Sequence, residues 1–221
     1  MAENSNSPET AGDGKGLSRS KDFLPGSNNV GTLLAVPLPG IAIFPQLVSS
    51  NPTTLLMESE PCDCNFTLTN ADTGKLILKV ESKFFSLSHR KGIIDASTGQ
   101  KLCTIRQELF SGYGRYYAET IEKGPHIFDA ELSRPRGPLN FKISFENTCS
   151  KGEMCSLDFQ TRSRQHLRDG TVFWEGRPVA CVRRTAVFRR KYEIAIASGL
   201  DPFVVFGFLI AVECTGRQRQ G

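Results

Sequence analysis

Ala195-Ile196-Ala197-Ser198-Gly199-Leu200-Asp201-Pro202-Phe203-Val204-Val205-Phe206-Gly207-Phe208-Leu209-Ile210-Ala211-Val212-Glu213 decides the fold. Ala195 to Ala197 close a strand-like run, Ser198-Gly199 breaks it, and Pro202 to Val212 are eleven apolar residues in succession. A helix that is apolar on every side must be buried, in a bilayer or in a protein core. Crossing a bilayer takes about 20 such residues, whereas a run of about 10–14 marks a core helix. Asp201 and Glu213 bracket this run, so it is too short to span. A single hydrophobic helix after a chain of strands implies a β-barrel wrapped around its own C-terminal helix.

The strands are written in period two. Phe141, Ile143 and Phe145 alternate with Asn140, Lys142, Ser144 and Glu146; Cys155, Leu157 and Phe159 alternate with Ser156, Asp158 and Gln160; Tyr192, Ile194 and Ile196 repeat the pattern. Such alternation buries one face of a strand. Candidate strands fall near 53–58, 64–69, 75–80, 83–89, 92–95, 101–107, 115–121, 126–132, 139–147, 154–162 and 171–175, with two more within 178–197. Asn70-Ala71-Asp72-Thr73-Gly74 and Asp95-Ala96-Ser97-Thr98-Gly99 share a phrase that reads as a hairpin tip, as does Glu175-Gly176. Glycine there supplies positive φ, and Asp or Asn bonds its own backbone. The fold class expected is all-β with one central helix: a closed barrel of about twelve antiparallel strands around a buried C-terminal helix.

With 221 residues, 39% of them hydrophobic and 15 of them Phe, the chain can bury a substantial core in one domain. Residues 1–31 are rich in Ser, Asn, Gly and charge, and the composition predicts a disordered tail. Residues 32–214 form the expected barrel domain and 215–221 a short basic tail. The start, Met1-Ala2-Glu3-Asn4, carries neither the basic residues nor the apolar run of an export signal. The expected setting is therefore the cytoplasm, at the inner membrane face or shuttling to the nucleus, with the seven Cys reduced.

No recognisable catalytic set is present. There is no G-x-S-x-G elbow, and His89, His126 and His166 have no metal-type spacing. Cys62-Asp63-Cys64 and Cys149…Cys155 do not make zinc pairs, and Glu58-Ser59-Glu60-Pro61-Cys62-Asp63 lacks the logic of a calcium loop. Neither enzyme activity, a cofactor nor a metal is expected. The informative residues are basic. Ten Lys or Arg lie between Lys151 and Lys191 against four acids, although the whole chain is only +4. Arg183, Arg184, Arg189, Arg190 and Lys191 put five cations in nine residues. Arg and Lys recognise phosphate, so an anionic phospholipid head group is the expected ligand. Strand alternation sends Arg183 and Arg184 to opposite faces of the wall, so one of them lies at the rim or pairs with an acid inside. Tyr113, Tyr116 and Tyr117 are not interleaved with these cations, which leaves no strong nucleic-acid signal.

Gly92-Ile93-Ile94-Asp95-Ala96…Gly99-Gln100-Lys101-Leu102-Cys103-Thr104-Ile105-Arg106 resembles a hairpin of the LURP-one-related proteins, and Tyr192 to Val212 resembles their final strand, Gly-x-Asp junction and central helix. The similarity runs in pattern over about residues 40–214. That family stands beside the Tubby C-terminal domains and the phospholipid scramblases. The resemblance implies a twelve-stranded barrel around a hydrophobic helix, and a phosphoinositide-binding or membrane-tethering role. Arg183, Arg184, Arg189, Arg190 and Lys191 are nominated by charge and are not carried over from the family. The acidic calcium segment and cysteine-rich run of scramblases are missing. Three alternatives are scramblase-like lipid transfer, an enzyme with a pocket at the barrel mouth, and an interaction domain with an unknown protein partner that never touches lipid.

Overall fold

The computed structural model describes residues 33–59, 65–82, 90–108, 114–120, 124–132, 140–161, 169–186 and 190–215. Twelve strands follow one another in chain order: β1 (Thr53–Ser59), β2 (Phe66–Asn70), β3 (Leu76–Ser82), β4 (Lys91–Asp95), β5 (Lys101–Gln107), β6 (Arg115–Glu119), β7 (His126–Leu132), β8 (Asn140–Asn147), β9 (Glu153–Thr161), β10 (Asp169–Trp174), β11 (Arg177–Ala186) and β12 (Lys191–Ile196). Each pairs antiparallel with the next, and β12 closes on β1 through a register running from Thr53↔Ile196 to Glu58↔Lys191. Closure removes the edge strands. The helix α1 (Pro202–Thr215) follows β12, ending one residue beyond the domain boundary expected at 214. The strand expected at 83–89, the tail over 1–31 and residues 216–221 lie outside the described residues.

Sequence alternation becomes inside and outside. In β8, Phe141, Ile143, Phe145 and Asn147 are buried; in β12, Tyr192, Ile194 and Ile196 are. Every residue of α1 from Pro202 to Ala211 is buried, so the helix fills the barrel. The Phe208 ring meets Phe159 at 4.6 Å and Phe141 at 4.9 Å, and Phe203 meets Phe44 edge-on at 4.8 Å. The two similar phrases fold into the same turn. Gly74 N–H donates to Asn70 O and Gly99 N–H to Asp95 O, both at 2.9 Å, with the glycines at φ 68° and 70°.

Residues 33–48 form a strap across the end of the barrel where α1 begins. Leu34 N–H donates to Pro178 O, Val36 N–H to Ser198 O and Ile41 N–H to Gly199 O. Gly199 has φ +83°, and a Cβ there would lie 2.9 Å from Val36 O, so the break before the helix has to be glycine. Asp201 caps α1 from complete burial. Its Oδ1 accepts from Phe203 N–H at 2.8 Å, while Oδ2 accepts from Ile43 N–H at 3.1 Å and Phe44 N–H at 2.7 Å. One carboxylate thus starts the helix and anchors the strap. Asn147 helps from the wall: its Oδ1 accepts from Ala42 N–H and its Nδ2 donates to Gly40 O, each at 3.0 Å.

Gly207 lies inside α1, where glycine costs about 0.5–1 kcal/mol relative to alanine. A Cβ there would sit 3.4 Å from the Phe203 ring and 3.5 Å from the Ile105 methyl, which is ordinary contact. Gly207→Ala is expected to raise stability by about 0.5–1 kcal/mol, read as a higher urea midpoint at unchanged slope. A lower midpoint would show that the helix sits more tightly against β5 than these distances allow.

Candidate functional site at the basic end of the barrel

Four of the five nominated cations, Arg183, Arg184, Arg190 and Lys191, gather where β11 ends, β12 begins and α1 finishes. Arg183 lies opposite Glu193, Arg184 opposite Tyr192 and Ala186 opposite Lys191, with a register shift between Arg184 and Ala186. Because Tyr192 faces the barrel interior, Arg184 does too, and Arg183 shares the outer face with Glu193. The four described cations therefore divide into two pairs. Arg189 lies outside the described residues.

The outer pair is partly exposed. Arg183 Nη2 is 3.0 Å from Glu193 Oε2, and Lys191 Nζ pairs with Glu58 Oε1 on β1. The side chains of Arg183 and Lys191 are 42% and 39% exposed. Ion pairs this open are worth only about 0–1 kcal/mol. Glu58 belongs to the acidic stretch that lacks the logic of a calcium loop; it pairs with Lys191, and Glu60 to Asp63 lie outside the described residues.

The inner pair is a clasp on the last turn of α1. Arg190 Nε lies 3.2 Å from Glu213 Oε2, and the Tyr192 hydroxyl donates to Glu213 Oε1. The Arg184 guanidinium lies 6.0 Å from the Tyr192 ring centroid, and its Nε donates to Ala186 O at 3.2 Å. Glu213 stands at the negative end of the helix dipole, where a carboxylate is unfavourable unless cations offset it. Burial foremost, and then the Glu213 charge, push the Tyr192 hydroxyl well above the ordinary phenol range, so it remains a donor.

A second polar group covers the outer wall of β5 to β7. Arg106 pairs with the buried Glu119; Arg115 lies 3.2 Å from Asp129 and 3.7 Å from Glu108. His126 Nδ1 is 3.1 Å from the same Asp129 oxygen, with Tyr117 stacked on its ring at 4.1 Å. The reading of the sequence missed this network, because its partners come from different strands. Among the described residues no group of three His, Cys, Asp or Glu is placed to hold a metal, and Cys103, Cys149, Cys155 and Cys181 are free thiols. Burial raises Cys103 and Cys149 and pushes Cys155 up to about 11, which makes these thiols weak nucleophiles at neutral pH. No helix among the described residues is long and apolar enough to cross a membrane.

A twelve-stranded barrel filled by its own C-terminal helix, with cations at the rim where that helix ends, defines the class of protein. The family model of LURP-one-related proteins matches residues 53–213, and the chain belongs to that family. Protein LURP-one-related 1 of Arabidopsis thaliana is 32% identical over 83 residues, which is 36% of each protein, so the match spans about a third of that relative. A crystal structure of another Arabidopsis thaliana protein shares the fold, with a TM-score of 0.57 and 13% identity, covering 79% of this chain and 97% of that one.

Proposed function

We propose that this protein is a non-enzymatic binding module that attaches to anionic phospholipid surfaces through the end of its barrel. The observation that carries the reading is the pair Arg183 and Lys191, partly exposed on the outer face of adjacent strands and ion-paired with Glu193 and Glu58, which are themselves partly exposed. An anionic surface competes with Glu193 and Glu58 for these cations at little cost. Arg184 and Arg190 belong to the clasp and hold the platform in shape. Because α1 occupies the barrel interior, the ligand surface is the outside of the wall. Scramblase-like transfer by insertion of α1 would require the barrel to give up its own core.

Each basic residue near an anionic membrane contributes about 1 kcal/mol. Arg183→Glu with Lys191→Glu is therefore expected to weaken flotation with phosphatidylserine or phosphoinositide liposomes by about 30-fold or more. Raising the salt should weaken the unaltered chain in the same direction. Neutral liposomes should not retain it. Equal flotation of the double variant and the unaltered chain, with both folded, would overturn the proposal.

A further inference from the structure

Beside the start of α1, the strap, the β8–β9 turn and the β10–β11 turn enclose a groove of about 430 Å³, a size typical of ligand sites. The strap from Val36 to Ile41 forms one wall, Met154 and Trp174 supply apolar surface, and Glu153 and Glu175 supply charge. No cation is among the described residues that line it. Leu38 is 95% exposed and Met154 74% exposed, so two large apolar side chains stand in solvent around the groove. The two flanking turns also hold the non-glycine residues with positive φ, Lys151 at 56° and Glu175 at 49°. That conformation costs about 1 kcal/mol or more for such residues. Closing a two-residue hairpin does not require glutamate, since Asn or Asp takes the position with less strain.

We propose that this groove seats the chain's own N-terminal segment Lys21-Asp22-Phe23-Leu24-Pro25. The chain enters the described structure at Leu33, and Leu34 N–H donates to Pro178 O at 3.0 Å, at the foot of the turn that carries Trp174 and Glu175. Residues 26–32, fully extended, reach about 25 Å, so Lys21 to Pro25 can lie over the groove. The chemistry is complementary: Phe23 and Leu24 meet apolar walls, and Lys15, Arg19 and Lys21 outnumber the single Asp22 opposite two glutamates. The Met154 thioether is a good partner for the Phe23 ring. Tethering gives the segment an effective concentration of about millimolar, so a weak contact is enough to keep it in place.

The test uses the full chain labelled with ¹³C at the methionine methyls. Its three methionines are Met1, Met57 and Met154, and the buried Met57 reports whether the barrel is folded. The Phe23 ring should displace the Met154 methyl signal. Phe23→Ala and Lys21→Glu should each return it toward the solvent-exposed position, with Met57 unmoved and no dependence on protein concentration. A synthetic peptide of residues 15–26, at about millimolar, should restore the displacement in the Phe23→Ala chain. An unmoved Met154 signal in both variants, or a peptide without effect, overturns the proposal. A displacement that grows with protein concentration overturns it in favour of a second copy in the groove.

Discussion

Asp201→Asn is expected to destabilise the protein by about 3 kcal/mol, lowering the melting temperature by roughly 10 °C. The two side chains are nearly the same size, so the effect comes from hydrogen-bond polarity. Both Asp201 oxygens accept: Oδ1 from Phe203 N–H, Oδ2 from Ile43 N–H and Phe44 N–H. An amide has one accepting oxygen and one NH₂. Either orientation turns donors toward donors, at the helix cap or at the strap, in a fully buried site. A buried donor left without an acceptor costs about 1–3 kcal/mol. Thermal unfolding of the two proteins decides it; a change below about 1 kcal/mol, the net worth of one ordinary hydrogen bond, would show that the strap is held by its other contacts alone.

The same residue gives stability a pH dependence. Burial pushes the Asp201 carboxyl up to about 7, against the pull of the Phe44, Phe203 and Ile43 N–H groups. The folded state therefore keeps its proton over a range where the unfolded state, with an ordinary carboxyl, has lost it. The folded state binds more protons between about pH 4 and pH 7, so this contribution falls as pH rises through that window and levels off above it. The protonated acid adds one O–H donor but keeps an acceptor lone pair on each oxygen, whereas the amide nitrogen accepts nothing. Urea midpoints at pH 5 and pH 8 should differ more in the unaltered protein than in Asp201→Asn. Equal pH dependence would assign the slope to other groups.

The fold could be read from the sequence because its signals are local. Eleven apolar residues bounded by acids make a core helix wherever they fall, and alternation such as Phe141, Ile143 and Phe145 is a property of neighbours. The phrase ending in Gly74 and Gly99 closes its hairpins with bonds inside the turn itself. The strap was not legible. Residues 33–48 have no period, and the bonds that anchor them go to Asn147, Thr148, Pro178, Ser198, Gly199 and Asp201, all remote in sequence. The basic cluster was legible as composition and only half legible as geometry. Alternation separates Arg183 from Arg184, but their partners depend on the register of β11 against β12. Glu58 and Glu213 reach Lys191 and Arg190 only once β1 has closed the barrel and α1 has filled it.

That mutual dependence of wall and helix is tested at Phe208. Phe208→Ala is expected to cost about 3–5 kcal/mol, and the structure argues for the upper part of that range. The ring is fully buried between Phe141 and Phe159. Phe159 lies over Gly170, so close that a Cβ on that glycine would fall 2.2 Å from the ring. The ring beside the new cavity is thus pressed against β10 backbone on its far side. A closed hydrogen-bonded wall has no free edge by which to shrink around a void, so the cavity persists, and cavity volume sets the cost. Phe208→Leu, which leaves a smaller void, should cost less. The single Trp174, at the end of β10, reports on the wall, and far-UV circular dichroism reports on the whole chain. If α1 is the element around which the strands close, both probes should move to the same lower midpoint and remain coincident. Two separated transitions, with the Trp174 midpoint unchanged, would mean that the barrel stands without its helix and that α1 is an occupant of the wall rather than its core.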